Sequence, residues 1–577
     1  MDAHEDSRAH YEERGRVWWY INNDKTMDRG NFQGPLGTAV RLPGTPTRTR
    51  SITTMTATIT LLLGLLVASV VFASLATRLR VPYAILLVLA GVGPGFIPGL
   101  PKVVLDPDLI LLVFLPPLVY SSAWQTSWRE FRANLRSILL LAVGLVLVTT
   151  AVVAIVAHVL LGLPWAVAFV LGAVLSPTDA VAASAIAKRM GLSRRIVTVL
   201  EGESMVNDAT GLVVYSFAVA AAVTGDFQFG AASVQFVVVG LGGLVVGLVI
   251  GWPVAWVHRH LDDAPIEITI TLLTPFAAYL LAEVVHVSGV LATLSAGLYL
   301  SRHSSRFFSS TTRLQADAVW SVLTFLLNGL LFLLIGLQLR HIVEALGERP
   351  LASIIGESLL VSLTVIVVRL AWVFAATYLP RRFFPRVHPG EPLPQVGDVT
   401  VVAWTGLRGG ISLAAALALP LTLEAGRAFP ERDRLIAFTF GVILVTLVGQ
   451  GLSLIPLIRW LKLAPEEEPE QERQHARLVT AQAALTRLQD LAGQEWVPEA
   501  VRMHLRARYE DKAQQASEER DGALPSQDGM RVAKQRLQHE VITAERVAVI
   551  ALRDQGQIDD EVLREIEREL DLEEQRV

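Results

Sequence analysis

Thirteen apolar stretches recur between residues 56 and 458, and most approach the roughly 20 residues that a helix needs to cross a hydrocarbon core. No other feature restricts the chain as much. A backbone in lipid must satisfy its own hydrogen bonds, and only helices and closed barrels can do so. The stretches are 56–76, 82–97, 108–123, 137–161, 164–187, 201–224, 232–257, 265–287, 289–301, 317–339, 352–379, 398–420 and 435–458. The second, third and ninth are short, which suits tilted or partly re-entrant segments. Composition agrees: 52% of the 577 residues are hydrophobic and only 18% charged, less charge than a soluble chain of this length carries. The expected fold is all-α and polytopic, with about 13 transmembrane helices.

Lys and Arg orient such a bundle, because they concentrate in cytoplasmic loops. With the C-terminus inside, Arg78, Arg80, Arg129, Arg132, Arg136, Lys188, Arg189, Arg194, Arg195, Arg259, Arg302, Arg306, Arg313, Arg381, Arg382 and Arg386 lie on the cytoplasmic side. Lys102, Arg340, Arg349, Arg427, Arg432 and Arg434 lie opposite. The odd number of spans then places the N-terminus outside. Arg41, Arg48 and Arg50 oppose that placement, a conflict that vanishes if translation starts at Met55. Residues 1–55 read as a polar extension, either disordered or the product of a start assigned too early. Residues 464–577 are rich in Glu, Arg and Gln and open on the acidic run Glu466, Glu467 and Glu468. Apolar residues at helical spacing, such as Leu478, Leu485 and Leu488 or Val562, Ile566 and Leu570, point to a cytoplasmic helical domain. The competing reading is a solvated tail with transient helices.

Several classes drop out. The net charge of −4 gives no reason to expect nucleic acid as a partner. With no cysteine, disulfides, thiolate catalysis, iron–sulfur clusters and cysteine-ligated zinc are excluded. No cofactor is expected.

Charges inside the bilayer are costly and mark functional sites. The apolar segments hold Asp179, Glu201, Glu203, Asp208, Glu283, Glu357, Arg369 and Arg408. The fifth segment reads Leu175-Ser176-Pro177-Thr178-Asp179-Ala180, and Pro177 removes a backbone donor in mid-membrane. The twelfth reads Gly406-Leu407-Arg408-Gly409-Gly410-Ile411-Ser412, a second break. If spans 1–6 and 8–13 are two halves, these breaks hold matching places. Paired broken helices point to an inverted-repeat transporter site. In the sixth segment residues four apart share a helix face. Glu203 lies below Asn207 and Ser204 below Asp208. Asp208 and Ser204 can then offer oxygen ligands to one ion, while Glu203 suits an internal partner such as Arg369. Glu283, Glu357 and Asn328 read as satisfied interior polar groups. Oxygen donors without sulfur or clustered His suit alkali ions and protons. A carboxylate that holds either H⁺ or Na⁺, but not both, supplies the competition that exchange requires.

Glu201-Gly202-Glu203-Ser204-Met205-Val206-Asn207-Asp208-Ala209-Thr210 closely resembles the signature of the monovalent cation/proton antiporter-1 family. This is the NhaP-like bacterial group related to animal sodium/proton exchangers. Leu115-Pro116-Pro117-Leu118, Asn328-Gly329-Leu330 through Ile335-Gly336-Leu337, and Leu407 through Leu413 match further family blocks in order. The resemblance spans about 58–463. It implies the antiporter fold of two inverted repeats with crossing broken helices, in homodimers working by elevator-like alternating access. By position it implies Asp208 as the ion- and proton-binding aspartate and Asn207 as its neighbour in the electroneutral branch. Thr178 and Asp179 match the unwound pair, Ser204 a further Na⁺ ligand, and Glu203 with Arg369 the supporting ion pair. Arg408, with Gly409 and Gly410, matches the second broken helix. One departure is Ala180, where many members have Pro; here Pro stands at 177.

The expected function is therefore one-for-one Na⁺/H⁺ exchange, with Li⁺ a further possible substrate, across the inner membrane in the service of pH homeostasis. The weighed alternatives are K⁺/H⁺ exchange, an intramembrane aspartyl protease using Asp179 and Asp208, and a non-transporting sensor. No Gly-x-Gly-Asp run supports the protease. An autoregulatory role for 464–577 rests on position and composition.

Overall fold

The computed structural model describes residues 48–577 apart from 80, 96–106, 108–109, 226–228, 348, 384–393, 424–426, 464–467, 493, 495–496, 521–536, 538–540, 546, 553–554, 556–565, 567–568 and 571–577. Most of the proposed 1–55 extension, the first two glutamates of the acidic run, and Val562 lie outside the described residues. Chain contacts separate two units between Pro465 and Glu466.

Among the described residues of the first unit, the regular structure is all helix but for one isolated bridge between Thr422 and Ala428. Its helices are α1 (Arg48–Leu79), α2 (Tyr83–Gly95), α3 (Ile110–Gln125), α4 (Trp128–Ala133), α5 (Leu135–Leu161), α6 (Trp165–Leu175), α7 (Val181–Arg189) and α8 (Arg194–Thr224). Then follow α9 (Phe229–His258), α10 (Ala264–Val284), α11 (Gly289–Phe307), α12 (Ser310–Ala345), α13 (Leu351–Phe383), α14 (Val396–Trp404), α15 (Gly410–Leu417) and α16 (Arg432–Leu461). Among the described residues, seven helices are long and apolar enough to cross a membrane, and four shorter apolar helices accompany them. The first helix begins at Arg48, eight residues before the apolar stretch that marks it in the sequence. A helix can run past the apolar block that drives its insertion, so the boundary placed at residue 55 falls inside α1.

Lipid-like packing explains the association of these helices. Where no water separates helices, small residues allow close approach. A Cβ on Gly336 of α12 would stand 2.2 Å from the Val88 carbonyl of α2, and one on Gly91 2.2 Å from the Leu333 carbonyl. The same device seats α9 on α11, where a Cβ on Gly247 would meet the Ala292 carbonyl at 2.0 Å. The other face of α9 exposes Val234, Val238, Leu241, Val245, Trp252 and Trp256. Such a continuous apolar stripe is unsuited to water and suited to a bilayer.

Two charged residues are placed differently from their expectation. Glu357 is not interior: it is half-buried near the start of α13 and meets Arg434 at 2.8 Å. Arg349 lies 2.9 Å from Glu431, which also approaches Arg434 at 3.7 Å. Glu283 is likewise half-buried, at the last turn of α10.

In the second unit, α17 (Glu468–Asp490) and α18 (Glu499–Arg520) pack together. Ala481 and Ala516 are buried, with Leu478, Leu485 and Leu488 half-buried.

Gly336→Ala is expected to lower the melting temperature in detergent, at the overpacking cost of about 1–3 kcal/mol. An unchanged melt would show that α2 and α12 are not in backbone contact. The hydrogen bond from Arg349 holds the Glu431 carboxyl below its ordinary range. A depressed carboxyl contributes stability above its unfolded pKa and loses it as pH falls through the folded value. Arg349→Gln should therefore destabilise at neutral pH by about 1 kcal/mol or less, given the pair's exposure. The difference from wild type should vanish below the carboxylate range, as thermal melts across acid pH will read.

Candidate ion site

Two interrupted helices cross, and each completes the other. After α6 ends at Leu175, residues 176–180 are not helical, and the chain resumes helix at Val181. Pro177 therefore sits inside the break, and its ring nests where a Cβ on Gly211 of α8 would stand 2.4 Å away. After α14 ends at Trp404, residues 405–409 are not helical, and α15 starts at Gly410. The Asp179 N–H donates to the Leu407 carbonyl at 2.8 Å. In return Arg408 Nε donates to the Leu175 carbonyl at 3.0 Å.

Further freed groups find side chains, the need of backbone buried away from water. Arg408 Nη1 donates to the Gly406 carbonyl. The Arg408 N–H donates to Thr446 Oγ1 at 3.1 Å, and Gln450 Nε2 to the Trp404 carbonyl at 3.0 Å. Both partners come from α16 where it widens to a π-turn over Val445–Gln450, a feature that recurs at functional sites.

Helix α8 serves the first break from one face. Ser204 Oγ donates to the Thr178 carbonyl at 2.9 Å and accepts from the Ala180 N–H at 3.3 Å. Thr178 Oγ1 donates to Glu203 Oε1 at 3.0 Å and accepts from Asn207 Nδ2 at 2.7 Å. Glu203 is held by both terminal nitrogens of Arg369, with Nη2 2.9 Å from Oε2. Arg369 Nε and Nη2 also donate to the Val402 carbonyl, at 3.3 and 3.0 Å. Each partner of this pair is only 1% exposed.

The carboxylates that remain are differently placed. Asp179 Oδ1 accepts from the Val181 N–H at 2.8 Å and so caps α7. Its other oxygen faces Gly409, where a Cβ would be 2.0 Å from Oδ2. Asp208 is buried, and no described residue donates a hydrogen bond to it. It lies within electrostatic reach of Asp179. Asn207 Oδ1, Arg408 Nη2 and Ser412 Oγ are buried without partners. The donor set around the crossing is thus oxygen-based and carries an excess of acids. Among the described residues no cluster of His and carboxylates suits a transition metal.

The structure brings Thr178, Asp179, Glu203, Ser204, Asn207, Arg369, Arg408 and Gly409 into one hydrogen-bonded or contacting group around the crossing; Gly410 starts α15 against Leu331. Sequence reasoning missed Thr446 and Gln450, although two polar residues four apart in an apolar span are a readable signal. It also missed Tyr83, which hydrogen-bonds the buried Asn328 and lies in electrostatic reach of Asp179.

Glu203→Gln leaves Arg369 buried without its counter-charge and should cost about 3–5 kcal/mol of stability. Adding Arg369→Gln should recover part of that loss, a coupling that a double-mutant cycle of detergent melts will read. A Glu203→Gln melt equal to wild type would show that the pair does not hold α8 to α13.

The family model for the transmembrane sodium/hydrogen exchanger matches residues 64–460. An uncharacterised Na⁺/H⁺ exchanger of Mycobacterium tuberculosis is 40% identical over 522 residues, covering 89% of this chain and 95% of that one. A sodium, potassium, lithium and rubidium/H⁺ antiporter of Bacillus subtilis is 36% identical over 356 residues, 60% of this chain and 53% of its own. The sodium proton antiporter MjNhaP1 of Methanocaldococcus jannaschii shares the fold, with a TM-score of 0.57 at 20% identity, over 70% of this chain and 99% of that one. The chain is a multi-pass membrane protein that belongs to the sodium/hydrogen exchanger family of monovalent cation:proton antiporters.

Proposed function

We propose that the chain exchanges Na⁺ for H⁺, one for one, with the two ions competing for Asp208. The observation that carries this reading is a buried carboxylate to which no described residue donates a hydrogen bond, beside two crossed breaks and a second carboxylate. Asp208, Asp179, Ser204, Thr178 and Asn207 supply the oxygens. Ser204 and Thr178 also hold the break, so an ion there would share them with the backbone.

Charge balance supports the stoichiometry. Arg369 and Arg408 bring two positive charges, and Glu203, Asp179 and Asp208 three negative ones, so 2 − 3 leaves −1 when all are ionised. One Na⁺ or one H⁺ neutralises that remainder. A low-dielectric site favours either neutral state over the empty charged one, which couples the two fluxes without net charge movement. Thirteen spans in two inverted repeats fit the crossing, since the fifth and twelfth segments then break at matching places. The arginine bias supports an inner-membrane orientation with the C-terminus inside and the N-terminus outside. Homodimeric assembly follows from the family resemblance. The unit from Glu466 is read as a cytoplasmic regulatory domain.

Everted vesicles from cells without their own antiporters test the central reading. Na⁺ should collapse the pH gradient with wild type and not with Asp208→Asn, which lacks the intramembrane charge that marks the site. Li⁺ and K⁺, added in turn, read the selectivity. Normal exchange by Asp208→Asn would move the site elsewhere, with Asp179 next in line.

A further inference from the structure

Two arginines where α4 passes into α5 have no use in ion binding. Arg132 in the last turn of α4 and Arg136 at the start of α5 are both exposed. Among the described residues neither guanidinium has a hydrogen-bond or ion-pair partner. Glu130, the acid nearest to them in the chain, is engaged elsewhere: its Oε2 accepts from the Thr198 hydroxyl of α8 at 2.8 Å. Both arginines line one open cleft of about 660 Å³. The rest of its lining is apolar and runs down α5 through Leu139, Leu140, Val143 and Gly144.

Packing on two sides holds this wall in place. Helix α5 widens to a π-turn over Leu140–Leu145, and the Leu140 carbonyl accepts from Trp372 Nε1 of α13 at 3.0 Å. Gly144 lets the indole lie close, since a Cβ there would stand 2.6 Å from Trp372 Cζ2. The first turn of α5 rests on α8, where a Cβ on Gly202 would meet Ile138 Cδ1 at 2.6 Å. The wall is thus fixed to both helices that carry the buried Glu203–Arg369 pair.

Positive charge at one end and an apolar wall along the rest match the two halves of a charged lipid. We propose that this cleft binds an anionic phospholipid, with its phosphate at Arg132 and Arg136 and an acyl chain along Leu139, Val143 and Gly144. Guanidinium groups suit phosphate oxygens through paired N–H donors, and basic pockets at the cytoplasmic ends of membrane helices take anionic headgroups. The dimensions agree. Gly144 lies eight residues beyond Arg136, roughly 12 Å along a helix, and one leaflet holds roughly 15 Å of hydrocarbon. A free anion would leave the apolar wall unused, and a lipid without net charge would leave two guanidinium groups without a counter-charge. The cleft lies on the side that the arginine bias assigns to the cytoplasm. Only the choice of leaflet rests on the proposed orientation; the binding itself does not.

The test titrates the purified full chain in detergent with phosphatidylglycerol, and separately with phosphatidylcholine, and counts retained lipid by native mass spectrometry. Wild type should keep phosphatidylglycerol in preference to phosphatidylcholine. The double variant Arg132→Gln/Arg136→Gln should hold the tightest phosphatidylglycerol about tenfold or more weakly, as expected for removing two basic side chains from a lipid headgroup. Arg259 and Arg306 are also exposed, and Arg259→Gln/Arg306→Gln, which removes the same charge outside the cleft, should bind as wild type does. Equal retention by the Arg132→Gln/Arg136→Gln variant would overturn the proposal, as would equal retention of the two lipids by wild type. Glycerol 3-phosphate carries the phosphate without acyl chains. Displacement of the lipid by it at matched concentration would make the cleft a site for free anions and overturn the lipid reading. No step of the measurement reads transport, so failure of the exchange reading and failure of this one are told apart.

Discussion

Unwound backbone inside a bilayer has no water to satisfy it, and the core of this protein is organised around that constraint. Breaking two helices frees carbonyls and N–H groups at a depth where each unsatisfied group costs several kcal/mol. The crossing meets part of the demand by exchange, with Asp179 N–H on Leu407 and Arg408 on Leu175. The rest recruits α8, α13 and α16. Arg369 illustrates the economy. It holds Glu203 with one edge and the Val402 carbonyl with another, so one buried cation stabilises a carboxylate and a helix end together.

The same constraint explains where small residues are required. Gly409 lies so close to Asp179 that any side chain would displace the carboxylate. Gly406 is wedged between two arginines, where a Cβ would meet Arg369 Cδ at 2.4 Å and Arg408 Nη1 at 2.9 Å. Packing two guanidinium groups around one glycine is tolerable only because Glu203 and the freed carbonyls surround them. The breaks, the glycines and the buried ions thus stand or fall together.

Much of this was legible in the sequence because the bilayer imposes strong rules. Apolar length marked the helices, and the cost of intramembrane charge singled out Asp179, Glu203, Asp208, Arg369 and Arg408. Spacing on a helix paired Glu203 with Asn207, which here meet at Thr178. What could not be read were contacts between distant segments. No local pattern says that α16 widens to bring Thr446 and Gln450 under the second break, since that turn is fixed by tertiary packing. Pro177 marked the break in the fifth segment, and α6 does stop just before it, at Leu175, as the restricted residue ahead of a proline requires. Glu357 misled for a related reason: an apolar segment written in one dimension does not show how near its end a charge lies.

The arrangement also separates two jobs that one acid could not perform. A carboxylate that anchors structure must stay bonded, as Glu203 is between Arg369 and Thr178. A carboxylate that exchanges ligands must have no permanent donor, or the incoming ion would compete with the fold itself. Asp208, the proposed exchanging acid, has no donor among the described residues, while Asp179 stands between the two, with one oxygen accepting from the Val181 N–H and the other turned to Gly409. On the proposed reading, an ion at Asp208 would change the charge beside the mouth of a broken helix without breaking the bonds that hold it.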